Sequence, residues 1–226
     1  MKKIRVGNEA VYILGAVILS LATAMLTAAD FGLSVIVSPA YLVSLKVPFL
    51  TFGQAEYIVQ GILFVLFCIA VRKFRFLYFG AFVSGLIYGL ILDWWRMVIP
   101  HFRPEIYGAG LPMGLRILYF AVGFLINAFG ATLYFKNCYY PQVYEFFVKG
   151  VSEKYQILLP KFKLGFDLAF LGLTLTLSLT LFGKITGIGV GTLIMACCNG
   201  PLIGAFGRWF DRHVEVKERK DRRTLF

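Results

Sequence analysis

Six long apolar runs constrain what this chain can fold into. They lie at about 10–29, 52–71, 76–98, 111–135, 164–182 and 186–207, and each is near the roughly 20 residues that a helix needs to cross hydrocarbon. Because unpaired backbone groups are costly in lipid, each run is expected to be helical or shielded by protein. The chain is 59% hydrophobic and only 15% charged, which is more apolar than a soluble domain. The sequence therefore predicts an all-α membrane protein with six transmembrane helices.

The basic residues predict how these spans are oriented. If the N-terminus is cytoplasmic, 18 of the 23 lysines and arginines fall on the cytoplasmic side, as the positive-inside rule requires. Both termini are thus predicted to be cytoplasmic, in the inner (plasma) membrane, with 213–226 as a basic tail. This topology and contact with anionic lipid account for the net charge of +11 without a nucleic-acid partner.

The order of spans and breaks repeats once along the chain. "GAFVSGLIYG" (80–89) and "GTLIMACCNG" (191–200) share a pattern of small residues, and a proline (Pro39 or Pro141) with a short segment follows the first span of each half. One integral membrane domain with halves at about 1–106 and 107–212 is predicted. Since each half has three spans, the halves would form an inverted-topology repeat with short re-entrant or interfacial helices. Six helices with ordinary small-residue packing are the alternative.

The segment "CCNGP" (197–201) interrupts the last apolar run. Because proline lacks an N–H and clashes with the preceding turn, the helix is predicted to kink or unwind around Asn199, Gly200 and Pro201. Transporters bind substrates at such broken helices, so these residues are a candidate substrate site. Asn127, near the middle of the fourth span, is expected to face Asn199. A plain interhelical hydrogen bond is the alternative.

A polar loop and several single side chains complete the candidates. "ADFGLSVIVSP" (29–39) offers carbonyls and hydroxyls for a binding loop, with the candidate residues Ser34, Ser38 and Pro39. Trp94 is a candidate for stacking on a substrate ring, although an aromatic belt at headgroup depth also explains it. Asp167 is a candidate proton or cation relay, with an ion pair to Lys163 as the alternative. Asp30, Glu56 and Asp93 are predicted to form an anionic vestibule on the outer side that concentrates cations, which makes them further coupling-ion or proton candidates. The alternative is that they are three ordinary interface residues.

Three stretches resemble a known group of proteins. "ADFGLSVIVSP", "LTFGQAEYIVQGILF" and "TGIGVGTLIMACCNGPLIGAF" are similar to the YczE/YitT-like bacterial integral membrane proteins. Ala40 and Tyr41 stand where that group often has Trp-Asp. The resemblance implies a membrane transporter or an accessory protein of a biosynthetic pathway. The six-helix plan is also similar to the substrate-capturing subunits of energy-coupling-factor vitamin transporters.

The motifs argue against catalysis. The sequence contains no nucleotide-binding loop, HExxH helix or nucleophile elbow, and its four cysteines include no CxxC, so neither an enzyme nor a cofactor nor a metal site is predicted. The predicted function is transport of a small polar or vitamin-like solute by alternating access, with the lipid bilayer, the solute and a homodimer partner as interaction partners. One alternative is a binding subunit that needs an ATPase module. The other is a non-transporting scaffold of a biosynthetic pathway.

Overall fold

The computed structural model describes residues 4–103, 111–136 and 141–216. Within them, eight α-helices follow in order: α1 (Asn8–Ala29), α2 (Ser38–Lys46), α3 (Phe52–Val71), α4 (Phe79–Val98), α5 (Met113–Lys136), α6 (Val143–Lys154), α7 (Leu159–Phe182) and α8 (Val190–His213). Six of these, all except α2 and α6, are long and apolar enough to cross a membrane. Their bounds lie within a few residues of the predicted spans. The all-α fold with six membrane-spanning helices is therefore confirmed.

Local sequence explains where α3 begins and ends. Thr51 accepts a hydrogen bond from the Gln54 backbone N–H at 3.1 Å, and the Gln54 side chain accepts one from the Thr51 N–H at 3.0 Å. This reciprocal capping box satisfies two donors that the first turn of a helix leaves unpaired. The helix ends where Arg72 adopts a left-handed conformation. The caps thus place the apolar stretch of α3 between two polar segments.

Each short helix begins within two residues of a proline that the sequence singled out. Pro39 lies in the first turn of α2, where its missing N–H costs nothing, and α6 begins two residues after Pro141. The first five residues of α2 and most of α6 are buried. A helix that lay flat on the surface would expose one face, so this burial favours the re-entrant alternative.

The segments next to the two termini pair with each other. Strand β1 (Ile4–Val6) runs parallel to β2 (Val214–Val216), and Arg5 forms an ion pair with Glu215 at 3.2 Å. A hydrogen-bonded pair of strands brings both ends of the described chain to one place. This is what an even number of membrane crossings requires.

The chain divides into two compact units, and each combines segments from both predicted halves. Unit 1 comprises the described residues of 1–34, 91–139 and 189–222, and unit 2 those of 35–90 and 140–188. In unit 1, α1 packs along α5, and α5 contacts α8. The Trp95 indole at the end of α4 also donates to the Val17 carbonyl of α1, at 3.3 Å.

Unit 2 is built around the short helix α6. An aromatic-rich cluster joins α6 to α3, α7 and the start of α4, with the buried members Leu63, Phe64, Phe67, Val71, Tyr78, Ala81, Val143, Tyr144, Phe146, Val148, Val151, Phe166 and Phe170. Burying this much apolar and aromatic surface against neighbouring helices gives α6 a fixed position. The residues just before and inside α6 are thereby held against α3.

The helix pairings follow a pattern expected for a duplicated unit. In unit 2, α2 packs on α3 and α7, and α6 packs on the same two helices. In a duplicated unit, α1 to α4 of the first half correspond to α5 to α8 of the second. Exchanging the corresponding helices carries the α2–α3 pairing onto α6–α7, and the α3–α6 pairing onto α7–α2. In unit 1 it carries α1–α5 onto itself, whereas α5–α8 is carried onto α1–α4, for which the described residues show the Trp95–Val17 hydrogen bond but no extensive packing. The inverted repeat with halves at 1–106 and 107–212 remains a prediction with which these pairings agree.

The small residues of the two matched segments behave differently. A Cβ at Gly89 of α4 would lie 2.7 Å from the Gly53 carbonyl oxygen, so α3 and α4 approach closely there. In α8, by contrast, nothing lies within 4 Å of a Cβ built at Gly200. Close helix packing is therefore found for the "GAFVSGLIYG" segment but not at the end of "GTLIMACCNG".

Candidate functional site

Glu56 is a fully buried carboxyl group in a membrane-spanning helix. Its side chain in the second turn of α3 has 0% exposure, and Gln60, one turn further on the same face, also has 0%. A carboxyl group at membrane depth is expensive, so its retention points to function. The sequence analysis predicted either an open vestibule or an ordinary interface position for Glu56. Both are wrong for this residue, because neighbouring elements cover it. Its role as a coupling-ion or proton candidate stays a prediction.

A chain of hydrogen bonds fixes the orientation of the amides around Glu56. The backbone N–H of Val143 donates to Gln60 Oε1 at 3.3 Å, and since a backbone N–H can only donate, the Gln60 amide has one allowed orientation. Gln60 Nε2 must then donate to Glu56 Oε1 at 3.3 Å and to Gln142 Oε1 at 3.5 Å. The amide nitrogen of Gln142 is consequently turned away from Gln60.

Three buried polar atoms of this cluster have no hydrogen-bond partner in the described part of the chain: Glu56 Oε2, Gln142 Nε2 and the Tyr144 hydroxyl. An unpaired buried polar group costs about 1–3 kcal/mol, and more when it is charged. Natural proteins rarely keep several such groups together without a reason. We therefore regard Glu56, Gln60, Gln142 and Tyr144, hereafter the Glu56 cluster, as the candidate functional site.

Tyr144 supplies a hydroxyl that stays protonated. A phenol is protonated at neutral pH, since its ordinary pKa is about 10. The phenol lies near the carboxyl without a hydrogen bond of normal geometry. It is thus a donor that remains available to a ligand, or to Glu56 after a small rotation.

Gly85 of α4 makes the room that the Gln60 amide occupies. A Cβ at this position would lie 2.1 Å from Gln60 Oε1 and 2.6 Å from its Cδ. Any larger residue would push the amide out of the position where it joins Glu56 to α6. The site therefore draws on α3, α4 and the start of α6, all within unit 2.

No basic side chain in the described ranges forms an ion pair with Glu56. A carboxylate buried without a counter-charge is strongly disfavoured, so this carboxyl is either neutral or holds a positively charged ligand. The cluster thus has the chemistry to bind a proton, a cation or a polar solute.

Asn127 and Asn199 meet as predicted, but the helix around them is not broken. Asn127 Nδ2 donates to Asn199 Oδ1 at 3.5 Å in unit 1. Helix α8 runs continuously through Gly200 and Pro201, both exposed, so the predicted unwinding is wrong. Membrane helices tolerate an internal proline when neighbouring groups satisfy the freed backbone. The pair matches the simple alternative, an interhelical hydrogen bond.

The 29–39 loop is tied to the chain on either side of the start of α8. In unit 1, the Gly191 N–H donates to the Phe31 carbonyl at 2.8 Å. In unit 2, Ser38 Oγ donates to the Gly187 carbonyl at 3.4 Å. Pro39 is buried in α2 and Ser34 is partly buried. Each end of the loop is thus held by a hydrogen bond within its own unit.

The remaining predicted charges lie in ordinary surroundings. Asp30 pairs with Arg116 at 3.2 Å in unit 1, and Asp93 is partly buried. Trp94 is 53% exposed and packs edge-on against Trp95, with ring centroids 4.7 Å apart. These positions fit the interface alternatives, and none of the three belongs to the Glu56 cluster.

Asp167 pairs with Lys163 one turn earlier in α7, at 3.2 Å. Exposed i,i+4 pairs of this kind contribute only about 0.3–0.5 kcal/mol. We expect Asp167→Asn to lower the thermal unfolding temperature in detergent by no more than about 2 °C, given that 1 kcal/mol moves a domain of this size by roughly 2–4 °C. A larger drop, measured by tryptophan fluorescence, would contradict the surface-pair assignment.

Sequence reasoning missed most members of the Glu56 cluster. Gln60, Gln142 and Tyr144 were not singled out, and Gly85 was read only as a packing residue. The available signal was the Glu56–Gln60 pair at i,i+4, which places two polar groups on one face of an apolar span. The partners from α6 are distant in sequence and gave no such signal.

A separate cavity of about 220 Å³ lies in unit 1 beside β1 and β2. It is lined by apolar side chains, namely Val6, Ala10, Val11, Leu14, Phe129, Leu133, Trp209, Phe210 and Val214. Because the walls offer no polar side chain apart from the indole of Trp209, the cavity does not suit a polar solute.

The fold and the site together define a multi-pass α-helical membrane protein with a buried, partly unsatisfied carboxyl centre. Over residues 6–208 the chain matches DUF6198, a family of unknown function, and it belongs to that family. Comparison with curated proteins and with solved structures found no match.

Proposed function

We propose that the protein is a small-solute secondary transporter whose binding and coupling centre is the Glu56 cluster. The observation that carries the proposal is the fully buried carboxyl group in α3, whose Oε2 has no partner among the described residues. Ionisable groups inside a membrane bundle typically belong to substrate or ion pathways.

The unpaired atoms indicate the kind of solute that the site would accept. Gln142 Nε2 needs an acceptor, the Tyr144 hydroxyl can donate or accept, and Glu56 Oε2 needs a donor or a positive charge. A small polar solute that carries both a donor and an acceptor would complement all three. This chemistry agrees with a vitamin-like or similarly polar substrate.

The helix arrangement supports alternating access as the mechanism. Transporters built from two inverted halves place their binding site beside discontinuous or short membrane elements. Here Gln142 and Tyr144 come from the residue before α6 and from α6 itself, a short buried helix. The pairings that are exchanged between halves in unit 2 agree with such a repeat.

The location and orientation of the chain complete the proposal. The excess of basic residues on one side favours the plasma membrane with both termini in the cytoplasm. The pairing of β1 with β2 agrees with termini on one side.

The proposal is tested with the purified protein reconstituted into liposomes. A panel of small polar metabolites and vitamins is applied while transport currents are recorded on a solid-supported membrane. At least one solute should give a saturable current. Glu56→Gln should reduce that current roughly tenfold or more, since a buried solute group that loses its hydrogen-bond partner costs about 1–3 kcal/mol.

Asp167→Asn is the matched control, because it neutralises a carboxylate in a membrane-spanning helix outside the cluster. It should transport like the unchanged protein. Full activity of Glu56→Gln, or no current with any solute, would overturn the proposal. Solute binding without transport would favour the binding-subunit alternative, which needs an ATPase module.

A further inference from the structure

We infer that the Glu56 carboxyl is a proton-binding site, and that the ion coupled to transport is a proton rather than a sodium ion. The coupling part of this inference rests on the proposed function. Proton binding itself is a property of the chain and can be measured without any solute.

Few oxygen atoms around Glu56 are fully available to a metal cation. Gln60 Oε1 already accepts from the Val143 N–H, and Gln142 Oε1 and Glu56 Oε1 both accept from Gln60 Nε2. Only Glu56 Oε2 and the Tyr144 hydroxyl oxygen accept no hydrogen bond, and each of the other three oxygens already has at least one acceptor position occupied. Hard cations are held by several oxygen ligands at once, whereas a proton needs one.

The surrounding charges also favour a neutral carboxyl. The elements packed against α3 are α2, α4 and α6. Their ionisable groups in unit 2 are Tyr41, Lys46, Tyr88, Tyr144, Glu145, Lys149, Glu153 and Lys154. Of the three cations, Lys46 donates to the Leu181 carbonyl at 3.0 Å, Lys154 donates to the Ala70 carbonyl at 3.2 Å, and Lys149 is exposed. Glu145 adds a second carboxyl group near Glu56. No cation of this set forms an ion pair with Glu56, so the proton stays bound in the conformation described.

The cluster also contains the hydrogen-bond donors that an ionised Glu56 carboxylate would need. In the neutral form, Oε1 accepts from Gln60 Nε2 and Oε2 carries the O–H. When the proton leaves Oε2, the carboxylate needs new donors, and two unpaired donors lie in the same cluster: the Tyr144 hydroxyl and the Gln142 amide nitrogen. Rotation of these side chains would satisfy the carboxylate. Protonation and the conformation of the start of α6 are thereby linked.

The test is chemical modification of the purified protein by dicyclohexylcarbodiimide, which reacts with protonated carboxyl groups in apolar surroundings. Peptide mass spectrometry should find the adduct on Glu56 at neutral pH, at least tenfold more than on Asp30 or Asp167. Labelling should fall as the pH rises. Replacing potassium chloride by sodium chloride should leave it unchanged.

Two variants and a second readout keep the inference falsifiable. Glu56→Asp should keep carbodiimide labelling at position 56, and Glu56→Gln should lose it together with the infrared carbonyl band of a buried neutral carboxyl group. Protection by sodium, or absence of that band in the unchanged protein, would overturn the inference. Strong labelling in a protein that transports no solute would support the proton site while rejecting the transporter proposal.

Discussion

Gly32→Ala should destabilise the protein strongly, lowering its unfolding temperature in detergent by about 10 °C for an expected loss of roughly 3–5 kcal/mol. Gly32 has a φ of +100°, and a Cβ there would lie 2.4 Å from both the backbone nitrogen of Gly189 and Thr192 Oγ1. Since backbone cannot rotate away as a side chain can, the 31–32 segment must move. The hydrogen bond from the Gly191 N–H to the Phe31 carbonyl would then be lost. Thermal unfolding followed by tryptophan fluorescence measures the effect.

Substitutions at two other glycines distinguish the two causes of that loss, the strained backbone conformation and the steric overlap of the added Cβ. Gly183 also has a positive φ, +66°, but nothing lies within 4 Å of a Cβ built there, so Gly183→Ala should show only the conformational cost of about 1 kcal/mol. Gly200→Ala has neither problem and should be neutral or slightly stabilising, by at most about 1 kcal/mol. Equal effects of Gly32→Ala and Gly183→Ala would show that the close packing at Gly32 contributes nothing.

Gly85→Ala should disrupt the Glu56 cluster and cost about 2–4 kcal/mol, because the displaced Gln60 amide leaves buried partners unpaired. The added methyl group would overlap Gln60 Oε1, which the Val143 N–H holds in place. The variant should therefore lose stability and, under the proposed function, solute transport as well. Unfolding in detergent and the liposome currents measure the two effects.

A double-mutant cycle isolates the contact. In a Gln60→Ala background the amide is absent, so the further change Gly85→Ala should cost less than about 1 kcal/mol, and the two changes should be strongly non-additive. Additive losses would show that Gly85 acts through some contact other than Gln60. The cycle thus tests the geometry of the site apart from any transport assay.

The position of Pro201 inside the continuous helix α8 shows where reasoning from local sequence preferences fails. Proline removes one hydrogen bond from a helix and strains the preceding turn, which predicted a kink or an unwound segment. The helix is continuous, and α8 is exposed along much of its length, including at Cys197, Cys198 and Gly200. In lipid, unwinding would leave further backbone groups unpaired, so keeping the helix costs less than breaking it. The lipid surroundings thus outweighed the tendency of proline to interrupt a helix.

The sequence alone determined the number of membrane spans and the two short segments at Pro39 and after Pro141, and it offered the Lys163–Asp167 and Asn127–Asn199 contacts as alternatives that the structure then showed. Run length, proline position and helical spacing are local properties, and hydrocarbon thickness converts them directly into structure. Only the tertiary structure decided that Glu56 is buried. Its burial depends on where α4 and α6 pack, on the space left by Gly85, and on a hydrogen bond between residues 60 and 143. Such contacts join positions far apart in the chain, and the order of residues along one span carries no record of them.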